Sequence, residues 1–165
     1  MAKAAPIVHA HWYHMIEGLQ ASPTEFYAAV ERAIAERQVP DTKISRVDYR
    51  EGSLVTAKRE YLRVKRRQHI FDICGAPFGN GFFVSWWLGE PQGCLSLLAE
   101  LPFVGGFLES VLKPLTYYML DTALMFQASV HNAVQQVIGE MTEAKGLRAL
   151  TEAERKPVMR EFFQD

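Results

Sequence analysis

Cysteine is scarce: the 165 residues contain two, Cys74 and Cys94, with no C-x-x-C pair and no metal-ligand spacing. That argues against a disulfide-stapled secreted scaffold and against a cysteine-based zinc module. No apolar run reaches the roughly 20 residues that a membrane-spanning helix needs. The nearest stretch, residues 94–112, has twelve hydrophobic residues of nineteen but is broken by Glu100, Pro102, Gly105, Gly106 and Glu109. The first twenty residues hold three histidines and Glu17 and no apolar core, so a secretory signal is not expected. The default location is cytoplasmic. Internal repeats and low-complexity tracts are absent, and no catalytic signature stands out.

Charge of one sign is not in excess overall, at a net −1, yet it is unevenly spread. Residues 43–88 carry nine basic side chains against Asp48, Glu51, Glu60 and Asp72, and the segments on either side are acidic. A basic middle between acidic flanks points to an internal electrostatic match or to an anionic partner. A content of 48% hydrophobic and 22% charged residues is that of a globular chain, and the length fits a single domain spanning 1–165.

Residues 7–18 alternate with period two and read as a strand. Ser22-Pro23-Thr24-Glu25, in which Ser22 and Glu25 form a capping box, opens a helix over about 23–37, with Phe26, Val30, Ala33 and Ile34 on one side and Pro40 beyond its end. From Lys43 the period returns to two, and strands follow over about 43–50, 54–65, 69–74 and 82–88. Arg66-Arg67-Gln68 and Gly79-Asn80-Gly81 are the turns between the later ones. Connections this short permit only antiparallel pairing. Short apolar helices are expected over 94–101 and 107–112. A long helix over about 116–144 carries a stripe of Leu120, Leu124, Val130, Val134, Val137, Ile138 and Met141. Thr151-x-x-Glu154 opens a last short helix before Pro157. The fold class is therefore α+β: an antiparallel meander of four or five strands, with an N-terminal helix and a long C-terminal helix packed on it.

Four groups of residues merit a functional reading. His9, His11 and His14 offer imidazoles for a metal, although on a strand only His9 and His11 share a face. Arg59, Arg63 and Lys65, continued by Arg66 and Arg67, form an anion-binding strip with Tyr61 among them. Without an RNP-like or helix-turn-helix pattern, nucleic acid is not the expected partner. Trp86 and Trp87 point to opposite faces of a strand too apolar for one wet face, and with Phe103 and Phe107 they mark a partner or membrane interface. Gly75 to Gly81 leads into a strand rather than a helix, so it is a turn and not a phosphate loop. His69 and Cys74 fall on opposite faces, and Asp121 and His131 lie about 15 Å apart along one helix, so neither pair forms a local catalytic unit.

The leading reading is a small intracellular, non-enzymatic binding or assembly module that associates with itself or with another protein, with no cofactor. One alternative is a peripheral membrane protein whose basic sheet and apolar tract 82–112 meet an anionic surface. Another is a small-ligand or metal-binding enzyme with a pocket between the sheet and the long helix.

Overall fold

The structure is a computed structural model and describes residues 7–50, 58–91 and 117–159. The elements in chain order are β1 (Ile7–Glu17), α1 (Pro23–Glu36), β2 (Thr42–Arg50), β3 (Lys58–Arg66), β4 (His69–Phe78) and β5 (Gly81–Glu90). They are followed by α2 (Tyr117–Ala144), α3 (Glu152–Arg155) and the two-residue β6 (Val158–Met159). The expected short helices at 94–101 and 107–112, and with them Phe103 and Phe107, lie outside the described residues.

The α+β architecture is as expected, with the sheet ordered β2-β3-β4-β5-β1-β6 and every neighbouring pair antiparallel. Strands β2 to β5 form the meander, and β1 lies at its far side, next to β5. The connection is made by α1. Four strand spacings come to about 19 Å, and a helix of 14 residues is about 21 Å long. β1 and β2 run the same way, so the connection through α1 and its flanking loops both crosses the sheet and returns along the strands. Ser22 precedes α1 without making a side-chain cap, contrary to the capping box expected with Glu25. Pro23 in the first turn has no amide hydrogen to satisfy, which lowers the need for that cap.

Both long helices cover the same face of the sheet. Phe26, Tyr27, Val30, Ala33 and Ile34 of α1 and Phe126, Val130, Ala133, Val134, Val137 and Ile138 of α2 are buried there. They pack with Trp12, Leu62, Val64, Phe71, Ile73, Phe82, Val84 and Trp86. Gly75 makes the closest approach possible: a Cβ on it would lie 2.4 Å from Phe26 Cδ1. The stripe expected on α2 is correct in its second half. In the first half it is out of phase, because Phe126 is buried and Leu124 is 49% exposed. The last helix begins with the expected capping box, in which Thr151 N–H donates to Glu154 Oε2 at 2.7 Å and Glu154 N–H donates to Thr151 Oγ1 at 3.3 Å.

Candidate functional site: the open face of the sheet

Strand alternation sends every second residue to the face opposite the helices, and among the described residues no helix covers that face. The pairing registers lay its side chains out in rows across β2, β3, β4, β5 and β1. One row runs Ser45, Arg63, Asp72, Trp87, His11. The next has Val47 opposite Tyr61, Cys74 opposite Ser85, and Ser85 opposite Tyr13. Beyond it Tyr49 faces Arg59, Ala76 faces Phe83, and Phe83 faces Met15. The β5–β1 side is aromatic: Trp87 is 43% exposed and stacks on His11 with ring centroids 4.9 Å apart. Tyr13, 63% exposed, lies 6.4 Å from Phe83. The β2–β3 side is cationic, with exposed Lys43, Arg59 and Lys65. None of these three forms an ion pair among the described residues.

A part-buried polar cluster sits at the centre of the face. Arg63 donates from Nε to Asp72 Oδ1 and from Nη2 to Asp72 Oδ2, each at 2.7 Å. The Tyr49 hydroxyl donates to Asp72 Oδ2 at 2.6 Å and accepts from Arg63 Nη2. Burial, and then its bond to Asp72, pushes the Tyr49 hydroxyl up to about 12. Every group in the cluster is paired, so it fixes the relative positions of β2, β3 and β4. Arg63 was expected in the anion strip, but Asp72 occupies its guanidinium. Arg67 pairs with Asp41 at 3.5 Å, and Arg66 Nε donates to the carbonyl of Pro40 at 3.0 Å. These two lie at the end of the sheet, in and beside the β3–β4 turn, so the five cations do not form one strip.

The tryptophans separate as alternation requires. Trp86 is fully buried in the core, where its Nε1 donates to His131 Nδ1 at 3.1 Å. Trp87 alone of the pair is accessible. The three N-terminal histidines go to three different partners. His9 Nε2 is 3.6 Å from Glu90, His11 stacks on Trp87, and His14 Nε2 is 3.7 Å from Glu154. Among the described residues no three metal-ligating side chains converge. A β-bulge between Val8 and Ala10 displaces His9 from the alternation that was to align it with His11.

His131 is a connector that sequence reasoning did not identify. It accepts from Trp86, hydrogen-bonds the backbone of Arg155, and meets the Trp12 ring edge-on at 5.9 Å. Trp12 Nε1 in turn donates to the Glu154 carbonyl at 2.7 Å, so α3 is clasped to the core. Burial holds the His131 imidazole below its ordinary value, in keeping with a neutral ring. His69 is lowered for the same reason, against the opposing pull of Glu90, whose Oε1 lies 3.1 Å from its Nε2. Cys74 is fully buried, and burial pushes its thiol up, away from the reactive thiolate.

Two depressions flank the face. A groove of about 310 Å³ is lined by Met15, Arg59, Ala76, Phe78 and Phe83. A cleft of about 420 Å³ lies between β1 and the segment after α2, with Arg148 and Glu154 paired at 2.7 Å in its wall. Neither brings a nucleophile and a base together. Among the described residues no helix is long and apolar enough to cross a membrane. Compared with models of protein families, with curated proteins and with solved structures, the chain matches none of them.

Proposed function

We propose that this protein is a non-enzymatic assembly module that pairs with a second copy of itself through the open face of the sheet. The observation that carries the reading is the composition of that face. Trp87, Tyr13 and Phe83 stand on one side, Lys43, Arg59 and Lys65, without an ion pair among the described residues, on the other, and a neutralised Arg63–Asp72 pair lies between them. Five strands spaced about 4.8 Å apart and nine to eleven residues long present on the order of 800 Å². Two copies then bury about 1,600 Å², within the range of specific protein interfaces.

The charge layout also selects the symmetry. A two-fold axis parallel to the strands, passing over β4, sets β2 and β3 of one copy against β1 and β5 of the other. Arg59 then lies over Phe83, a favourable cation–π arrangement, while Lys43 and Lys65 at the end of the sheet lie over Val8 and Gly89 rather than over other cations. An axis perpendicular to the strands sets cations against cations. Size-exclusion chromatography with light scattering tests the reading. A particle of twice the 18.7 kDa chain mass is expected at micromolar concentration. A strict monomer at hundreds of micromolar rejects the proposal.

A further inference from the structure

One end of the molecule combines cations, exposed tyrosines and both ends of the longest segment outside the described residues. Thr42 pairs with Arg66 and Lys43 with Lys65, so the β3–β4 turn brings Lys43, Lys65, Arg66 and Arg67 to one end of the sheet. Among the described residues the acids there are Asp41, in an exposed pair with Arg67, Glu90, held beside His69, and Asp121 in the first turns of α2, so four cations stand against three acids.

The start of α2 lies against this turn. A small cavity of about 40 Å³ is shared by Arg66, Arg67, Gln68 and His69 with Tyr118, Met119 and Thr122. Tyr117 and Tyr118 are 85% and 72% exposed, and Leu124 and Met125 continue an apolar surface along the helix at 49% and 62%. The sequence between Pro91, just beyond Glu90, and Tyr117 is where twelve of nineteen residues, 94–112, are hydrophobic. The chain leaves β5 and re-enters at α2 on this same end.

We propose that this end docks on an anionic lipid bilayer, with Lys43, Lys65, Arg66 and Arg67 facing the headgroups and Tyr117 and Tyr118 at the interface. Tyrosine favours the boundary between headgroups and acyl chains because its ring is apolar and its hydroxyl is not. Clustered lysine and arginine supply the attraction to negative lipid, and that attraction falls off over a Debye length. A soluble partner protein would account for the tyrosines and for the apolar sequence. The cation surplus beside them favours a surface dense in phosphate. Docking shares Lys43 and Lys65 with the end of the open face, whereas Arg66, Arg67, Tyr117 and Tyr118 belong to docking alone, so loss of binding in the tyrosine variant separates it from pairing through that face.

The test is flotation of the full chain with neutral phosphatidylcholine vesicles and with vesicles containing 30% phosphatidylserine. Binding is expected to the anionic vesicles and to weaken several-fold between 50 and 300 mM salt. Lys43→Gln with Arg67→Gln is expected to lower partitioning about five-fold per cation removed. Tyr117→Ser with Tyr118→Ser, at positions exposed enough to leave the fold intact, is expected to lower it at least ten-fold. Failure to float with anionic vesicles at 50 mM salt overturns the proposal. So does equal binding to neutral vesicles, or binding of the tyrosine variant at the wild-type level.

Discussion

The adjacent tryptophans provide the sharpest perturbation, because one strand position separates a core residue from an interface residue. Trp87 leaves 43% of its surface exposed, against roughly 250 Å² for a tryptophan side chain, so about 110 Å² remains to be covered. At about 25 cal/mol per Å² this is about 2.7 kcal/mol per copy, and it counts twice in a two-fold dimer. Allowing for non-additivity, Trp87→Ala is expected to weaken self-association by about two to three orders of magnitude. The folded monomer loses only the stack on His11, worth about 1 kcal/mol. Trp86→Ala does the reverse. It removes a fully buried ring 5.0 Å from Phe71 and leaves His131 Nδ1 without its donor, costing about 4 kcal/mol of folding stability. Sedimentation equilibrium reads the first effect and urea unfolding the second. Unchanged association of Trp87→Ala, or equal unfolding midpoints for the two variants, refutes the assignment of faces and of the interface.

Gly75→Ala is expected to destabilise the fold by about 2 kcal/mol, since its Cβ falls 2.4 Å from Phe26 Cδ1 within a closed core. Adding Phe26→Leu should recover part of that loss in urea melts, and a neutral single variant contradicts the close approach. Asp72→Asn leaves the partly buried Arg63 without its counter-charge and should cost about 3 kcal/mol; replacing both residues by apolar ones should restore most of it. A silent Asp72→Asn in the same melts contradicts the structural role of the cluster. Acidification should lower the melting temperature, because His69 and His131 have folded-state values below their unfolded ones. Below about pH 6.5 the unfolded chain takes up protons that the folded chain resists, so stability falls as pH falls. Melting temperatures recorded from pH 8 to pH 5 that stay flat or rise contradict buried, neutral imidazoles.

Much of this arrangement is legible in the sequence because strands and turns impose arithmetic on it. A two-residue turn at Arg67-Gln68 sets Arg63 opposite Asp72, whereas the turn read from the sequence took in Arg66 as well, which leaves the register one residue out. Leu62 and Val64 fall inward, and Arg59, Tyr61 and Lys65 outward, by strand alternation alone. What period two leaves open is where a side chain goes once it has left its strand. Tyr49 reaches across to Asp72, and Asp72 in turn removes Arg63 from the free cations. The place of β1 beside β5 depends on the crossover through α1, which a period of two does not reveal. The phase error on α2 at Leu124 arises because the apolar residues in its first half lie all round the helix, so hydrophobicity alone does not choose a face. His131 was passed over because its role depends on Trp86 and Arg155, which are distant in sequence.

The most direct test of face-to-face pairing is a distance between copies, measured by pulsed electron resonance on the full chain in a Cys94→Ser background. A nitroxide on Lys43→Cys lies on the open face at one edge of the sheet. Its mate in the second copy is then four strand spacings across and one sheet separation away, about 21 Å. A nitroxide on Asn132→Cys, exposed on α2, sits behind both sheets, and its mate is more than about 30 Å away. The pairing predicts a short distance at Lys43 and a long one at Asn132. No dipolar signal at either position, or a shorter distance at Asn132 than at Lys43, contradicts it.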